Sequence, residues 1–269
     1  MSQFAVMGCP IDHSLSPVIH RGFGEIVGRV VSYERQQVEA GGLAHALLAF
    51  KAQGGLGVNV TVPLKAEAFA LAGRLSLRAK RAHAVNTISW MDGLVVGDNT
   101  DGLGLIRDLI DNHGLSLSDS RVLLAGAGGA AWGIAGPLLD EGVAQLAIFN
   151  RTPERALDLA SSLGDDRVSV LSASDGEQPF DYVINATAAG LSGALPALSD
   201  AVFRDAVAYD LVYGPRAQGF LAHARHCGAR IALDGLGMLV EQAAESFFLW
   251  HGVRPPTESV LQKLRMPAA

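Results

Sequence analysis

Cysteine is almost absent from this chain. Its two cysteines, Cys9 and Cys227, are far apart and form no CxxC arrangement, so neither a disulfide framework nor a cysteine-based zinc module is expected. Basic residues are not in excess either: the formal net charge is −6, which leaves no electrostatic footprint for nucleic acid or an anionic membrane. No apolar run is long enough to span a bilayer. The opening MSQFAVMGCP lacks the basic flank and apolar core of a signal peptide, which makes a cytoplasmic location the default expectation. Internal repeats and low-complexity tracts are missing as well. Only 18% of the residues are charged whereas 49% are hydrophobic, which excludes a disordered chain. A length of 269 residues suffices for one large or two ordinary domains with a proper core.

What is present is an alternation of strand-like and helix-like segments, the mark of α/β architecture. In the first half FAVMG, VVSYERQQV, GVNVTV, AVNTISW and LVVGDN read as strands. Helices are expected from Pro17, near 41–53 and in two short stretches before AVNTISW. DGLGLIRDLIDNHG reads as a connecting helix. Beyond it RVLLAGAGGA, QLAIFNRT, RVSVL, DYVINATAAG, AVAYDLVYG and ARIALDG are near-continuous runs of Val, Leu, Ile and Ala, the pattern of a parallel sheet covered on both faces. The tail, GMLVEQAAESFFLWHG and ESVLQKLRM, reads as two helices. Boundaries fall near Asp101 and Gly235.

VLLAGAGGAAWGIAG sets Gly126, Gly128 and Ala131 in the G-x-G-x-x-G/A spacing, directly after a strand and opening a helix. Gly126 permits the tight turn, Gly128 lets the backbone approach a pyrophosphate, and Ala131 allows close helix–strand packing. The helix N-terminus then offers free N–H groups to the phosphates. About twenty residues on, an NAD-binding domain keeps an acidic residue for the ribose hydroxyls. Here that strand ends in Asn150 and Arg151, with Arg155 one turn into the next helix, Thr152 at its cap and Pro153 at its first position. Two guanidinium groups at a helix start suit the extra phosphate of NADP.

Four further polar stretches interrupt apolar surroundings. GCPIDHSLSPVIH carries Ser14 and Ser16, with Ser16 as an N-cap or both serines as anion donors. AVNTISW holds Asn86 inside a strand pattern, where an unpaired amide would be costly. GDNTDGLG packs Asp98, Asn99, Thr100 and Asp101 before a helix, without the spacing or closing Glu of an EF-hand. GMLVEQAAESF carries Gln242 on a largely apolar helix. In GVNVTVPLK, Asn59 and Thr61 alternate with valines and Lys65 stands just past the end, as on a strand that lines a ligand. His223 and His226 are spaced to share a helix side, but their segment contains no acidic partner, so they read as solvated and no metal is expected. Trp90, Trp132 and Trp250 read as packing residues.

Singly, each stretch is as well explained by capping or packing. Together, GCPIDHSLSP, GVNVTVPLK, AVNT, GDNTDGLG, GAGGA, NRT, NAT, DLVY and DGLGMLVEQA stand in the order found in shikimate dehydrogenases, and the chain resembles that family from near residue 5 to near residue 251. The resemblance implies a substrate domain of residues 1–101 and 236–269, with the C-terminal helices packing back on the first domain, and an NADP-binding Rossmann domain of 102–235. It implies reversible NADPH-dependent reduction of 3-dehydroshikimate to shikimate in chorismate and aromatic amino-acid biosynthesis, by a monomer or homodimer. Lys65 and Asp101 then match the catalytic pair. Ser14 and Ser16 match the positions holding the substrate carboxylate, Thr61, Asn86 and Gln242 those binding ring hydroxyls, and Tyr213 a position near the substrate. Gly126, Ala127, Gly128, Gly129, Ala130, Asn150, Arg151, Thr152 and Arg155 match the dinucleotide contacts, and Thr187, Leu211 and Gly235 line the nicotinamide end.

The chemistry agrees with that assignment. Hydride addition to a ketone leaves negative charge on oxygen, so a proton donor or a cation must stand beside it. Arg21, Ala188 and Gln218 depart from the family pattern, which commonly has Asn, Ser and Thr there. The rivals are a quinate or quinate/shikimate dehydrogenase and a non-catalytic NADP-sensing module, which an intact Lys65–Asp101 pair disfavours. Hinge motion is expected where the chain crosses near Asp101 and Gly235.

Overall fold

β-branched and small apolar residues dominate the strands, and their period explains how each sheet is covered. The computed structural model describes residues 2–172, 178–187 and 195–266. The chain divides into two compact units, Met1–Gly104 with Leu239–Ala269, and Leu105–Met238.

In the first unit, β1 (Ser2–Gly8), β2 (Val31–Gln37), β3 (Gly55–Val60), β4 (Arg74–Leu75), β5 (Thr87–Met91) and β6 (Leu94–Asp98) form one sheet in the order β2-β1-β3-β5-β6-β4. β1 runs parallel to both its neighbours, while β5 is antiparallel to β3 and β6. The reversal is made by Asp92 and Gly93, with φ of 52° and 81°. Positive φ at both central residues is what a two-residue hairpin turn matched to strand twist requires. Helices α1 (Ser16–Ile26), α2 (Leu43–Ala52), α3 (Lys65–Leu71) and α4 (Leu77–Ala82) join these strands. Ala5, Met7, Val58, Val60 and Ile88 pack with Leu43, Leu47 and Phe50 of α2.

Helix α5 (Asp101–Arg107) leads through a π-helical turn, Asp108–Asn112, into the second unit. There β7 (Arg121–Ala125), β8 (Gln145–Phe149), β9 (Val168–Val170), β10 (Tyr182–Asn185), β11 (Val207–Asp210) and β12 (Ile231–Asp234) form a sheet parallel throughout. Its order, β12-β11-β10-β7-β8-β9, is that of the dinucleotide-binding doubly wound fold, with the switch point between β7 and β10. Both faces are buried, as the apolar runs require. Val122, Leu124, Ile148, Ile184 and Tyr209 join one core with α6 (Gly129–Asp140), whereas Leu123, Ala147, Val183 and Ala208 join another with Phe220 and Leu221. Between β8 and β9 lies α7 (Pro153–Leu163), and between β11 and β12 lies α8 (Gln218–His226).

Helix α9 (Leu236–His251) carries the chain back into the first unit, and α10 (Glu258–Arg265) follows it. Trp250 of α9 stacks on Phe4 at 4.7 Å and donates its Nε1–H to the Ile88 carbonyl at 3.1 Å. A Cβ at Gly57 in β3 would collide with that indole, so the strand needs glycine there.

Candidate active site

β3 ends at Val60, and Thr61, Val62, Pro63 and Leu64 lead into α3, whose first residue is Lys65. Main-chain bonds from Thr61 N to Met7 O (3.0 Å) and from Leu64 N to Thr61 O (2.9 Å) fix this corner. Asp101 opens α5, where the helix dipole favours a carboxylate. Lys65 Nζ and Asp101 Oδ2 form an ion pair whose side chains are 17% and 8% exposed, largely withdrawn from water yet reachable.

Asn86 holds the other carboxylate oxygen, its Nδ2 donating to Asp101 Oδ1 at 2.8 Å. The same nitrogen lies 2.9 Å from Thr100 Oγ1 and 3.3 Å from Gln242 Oε1, and Asn86 Oδ1 accepts from Thr100 N at 2.9 Å. Gln242 in turn donates to the Leu239 carbonyl at 2.8 Å. Asn86 is buried, so its amide orients Asp101 from behind. It directly precedes β5, where its N–H and C=O still bond Asp98 O of β6 and Val60 N of β3.

A second polar layer lies deeper. Asn59 Nδ2 reaches Thr87 Oγ1 at 3.1 Å and Ser246 Oγ at 3.0 Å, while its Oδ1 accepts from Tyr33 OH at 2.7 Å. Burial holds the Tyr33 phenol well above its ordinary pKa, so it remains a donor. Asp98 braces the loop before Asp101 by accepting from Asn99 N (2.7 Å), Ser76 Oγ (2.6 Å) and Arg78 Nη2 (2.7 Å). Arg78 and Arg254 both pair with Glu245 of α9.

The serine loop is tied to the Thr61 corner by a bond from Cys9 N to Val62 O at 3.0 Å. Ser14 Oγ donates to Ser16 Oγ at 3.2 Å, and the Ser14 carbonyl accepts from Arg35 Nε and Nη2 at 2.8 and 2.6 Å. Ser16 is not the cap of α1. Leu15 occupies that position, Ser16 is the first helical residue, and Ser16 N donates to Ser14 Oγ at 3.3 Å. Arg21 lies exposed along a cleft with Glu25 and Lys263.

In the second unit, Gly126 follows β7 with φ of 111°, and a Cβ there would come within 2.9 Å of the Ala186 carbonyl. Gly128 is the N-cap of α6 and supplies no side-chain cap. A Cβ at Gly128 or Gly129 would meet nothing within 4 Å, so the loop edge is an open cradle beside free helix N–H groups. Asn150 Oδ1 accepts from Ala127 N at 3.2 Å and its Nδ2 donates to Thr152 O at 2.8 Å. Thr152 takes the N-cap position of α7, yet its hydroxyl makes no capping bond; the exposed helix start rests on Pro153 instead. Arg151 and Arg155 are exposed, and among the described residues their guanidinium groups make no hydrogen bond or ion pair. They fit an additional phosphate. Thr187, Leu211 and Gly235 directly follow or lie close beyond the ends of β10, β11 and β12, and a Cβ at Gly235 would collide with the Leu211 carbonyl. Tyr213 precedes the short turn Gly214–Ala217 in the same unit. Gln218 opens α8, and Ala188 lies outside the described residues.

Three family models match the chain. They are the shikimate dehydrogenase substrate binding domain over residues 6–88, shikimate / quinate 5-dehydrogenase over 108–192, and the shikimate 5′-dehydrogenase C-terminal domain over 235–265. The NADP(+) shikimate dehydrogenase of Alkalilimnicola ehrlichii is 50% identical over 265 residues, covering 98% of each chain. The chain belongs to the shikimate dehydrogenase family. Among solved structures, an Ael1 enzyme from Pseudomonas putida matches with a TM-score of 0.94, 42% identity and 99% coverage of each chain. Shikimate 5-dehydrogenase of Thermus thermophilus, solved with NADP(H) and shikimate, matches with 0.88, 34% identity and coverage of 98% and 99%.

The structure thus brings Lys65, Asp101, Asn86 and Gln242 together in the first unit, with the Thr61 corner beside the Ser14–Ser16 loop. The supports behind them, Tyr33, Asn59, Thr87, Arg35 and Ser246, carry no family-motif role in the sequence reading. Only Asn59 stood out as a polar residue among valines; the others become visible through pairing between distant segments.

Proposed function

We infer that the chain catalyses the reversible reduction of 3-dehydroshikimate to shikimate with NADPH, a step of chorismate and aromatic amino-acid biosynthesis. The observation that carries this reading is the Lys65–Asp101 ion pair, braced by Asn86, in a chain that shares half its residues with NADP(+) shikimate dehydrogenases along nearly its whole length. When bound, the reduced dinucleotide supplies the hydride. Lys65 stands where charge develops on the ketone oxygen and delivers the proton that completes the hydroxyl. In the oxidising direction the same amine takes that proton back. Asp101 keeps the ammonium in place, and Asn86 keeps Asp101 in place.

Ser14 and Ser16 offer hydroxyl donors to the substrate carboxylate. Thr61, Asn86 and Gln242 serve the ring hydroxyls, and Tyr213 contributes near the substrate. Gly126, Ala127, Gly128, Gly129 and Ala130 bring main-chain N–H groups to the pyrophosphate at the start of α6. Asn150 and Thr152 shape the adjoining corner. The exposed Arg151 and Arg155 select the cofactor with the extra phosphate, and Thr187, Leu211 and Gly235 line its nicotinamide end.

The test is absorbance of the reduced nicotinamide with shikimate or quinate, each with NADP⁺ or NAD⁺. Turnover with shikimate and NADP⁺ alone is expected. Efficient turnover of quinate would widen the substrate reading, and that of NAD⁺ would overturn the role of the arginines. Absence of turnover by protein that binds NADP⁺ would move the reading to a sensing module.

A further inference from the structure

His223 on α8 finds its partners in places its own segment does not reveal. One turn further on, at the C-terminal cap of α8, is Cys227, on the same side of the helix. The short turn Asp200–Phe203 lies between the described residues after 194 and β11, and its first residue meets this pair. His223 Nε2 is 3.3 Å from Asp200 Oδ1, Cys227 Sγ is 3.6 Å from His223 Nε2, and all three donor atoms lie within 4.8 Å of one another. Phe203, itself buried, meets the imidazole edge to face at 5.5 Å and 87°, which fixes the ring plane.

These spacings can be compared with those a metal imposes. A tetrahedral zinc ion, bonded at about 2.0–2.1 Å to nitrogen and oxygen and about 2.3 Å to sulfur, separates N from O by about 3.4 Å and N from S by about 3.6 Å. The observed 3.3 Å agrees with the N–O edge, whereas Cys227 Sγ, 3.6 Å from Nε2 but also 3.8 Å from Nδ1, lies against the side of the imidazole and must turn about its Cα–Cβ bond to share an ion with Nε2. We propose that Asp200, His223 and Cys227 form a binding site for a zinc-type divalent cation, with the fourth position left to water. One thiolate, one imidazole and one carboxylate suit zinc or cobalt rather than the all-oxygen preference of magnesium or calcium.

The site lies at the end of the second sheet opposite the dinucleotide residues. Asp205 N bonds Gly228 O at 2.9 Å and Arg230 N bonds Ala206 O at 2.9 Å, so the end of α8 and the approach to β11 sit beside the strand N-termini. Gly126, Leu211 and Gly235 follow the strand C-termini. The cation is therefore a brace joining the segment before β11 to the end of α8, and it has no part in hydride transfer. Without metal, burial raises the Cys227 thiol above its ordinary pKa, assisted by its hydrogen bond to Asp200 and the charge of that carboxylate. Metal binding must displace that thiol proton.

The experiment uses the full chain, stripped with a chelator and free of dinucleotide, titrated with Co²⁺ and then Zn²⁺. One equivalent of Co²⁺ is expected to give thiolate-to-cobalt charge-transfer absorption, releasing about one proton per ion, with Zn²⁺ abolishing the band by displacement. Cys227→Ser should remove the band, Cys9→Ser should keep it, and His223→Gln should weaken binding by at least about tenfold. Zn²⁺ should raise the Tm of the wild type but not of Cys227→Ser, and shikimate turnover should be unchanged in Cys227→Ser and His223→Gln. A band that survives in Cys227→Ser, unchanged affinity in His223→Gln, or wild-type binding only at millimolar metal would each overturn the site. Should Cys227→Ser fail to fold, the His223→Gln titration decides alone.

Discussion

At the scale of single residues, the proposed mechanism rests on the Lys65 ammonium and the groups that aim it. Lys65→Met removes the proposed proton donor and leaves Asp101 beside an apolar chain in place of its cation. Its kcat should fall by about 10²–10⁴-fold, or ~3–5 kcal/mol of transition-state stabilisation. The Kd for NADP⁺, read by fluorescence titration, should stay unchanged, because the dinucleotide residues all belong to the second unit. A variant that keeps wild-type turnover would remove Lys65 from the mechanism. The proposed part of Arg151 and Arg155 is to read the extra phosphate of the cofactor. Charge-assisted hydrogen bonds contribute about 1.5–3 kcal/mol, so Arg151→Ala should raise KM for NADP⁺ about 10–100-fold while KM for NAD⁺ barely moves. Equal changes for both cofactors would mean that this guanidinium does not read the extra phosphate. These candidate positions were legible in the sequence because each is a distinctive residue type beside a recognisable turn. The support from Asn59, Tyr33 and Ser246 was not, since a buried hydrogen bond between distant segments leaves no local pattern.

At the scale of elements, the contact of α9 with the first sheet is the sharpest case. Trp250 lies over β3 and bonds the Ile88 carbonyl, leaving no room for a side chain at position 57. Gly57→Ala should therefore destabilise by about 1–3 kcal/mol through overpacking, measured as a lowered Tm. Trp250→Phe also destabilises, but in the double variant the smaller ring makes room, so the two losses should fall short of additivity by at least about 0.5 kcal/mol. Strict additivity would mean that the methyl group is absorbed elsewhere. The parallel sheet was readable because its strands bury both faces and carry continuous apolar runs. β4, with two residues, and the short turns Asp200–Phe203 and Gly214–Ala217 have no periodicity to read. The hairpin of β5 and β6 does have a local signal, the Asp92–Gly93 pair, whose meaning depends on the antiparallel partners around it.

For the molecule as a whole, the stability profile in acid is set by buried titratable groups. His20 is 1% exposed, stacks on Tyr33 at 4.3 Å, and among the described residues neither ring nitrogen has a hydrogen-bond partner. Burial, helped by nearby His251, depresses its pKa from 6.5 to about 3. Between those values the unfolded chain binds the additional proton, so stability is present above about pH 6.5 and is lost as pH falls. Asp210 works in the opposite sense: burial raises its pKa from 3.8 to about 6, and folding gains as pH falls through that value. Comparison with His20→Phe isolates the histidine. From about pH 7 to pH 5 the wild type should lose about 2 kcal/mol more unfolding free energy than the variant, measured by urea denaturation. Parallel profiles would show that His20 takes up no proton preferentially on unfolding.

By itself the sequence determined the α/β class, the glycine-rich dinucleotide turn, the paired arginines in place of an acidic residue, and Lys65 at a strand end. Each depends on neighbours within a few positions, where steric and hydrogen-bonding rules act locally. The tertiary structure alone decided which distant groups meet. It set Asn86 behind Asp101, made Ser14 rather than Ser16 the acceptor at the start of α1, and placed Trp250 over Gly57. It also paired His223 with Cys227 and Asp200, although its own segment offered no acidic group. Such contacts depend on strand order and helix packing, which are fixed by the burial of whole faces and not by the spacing of residues along the chain.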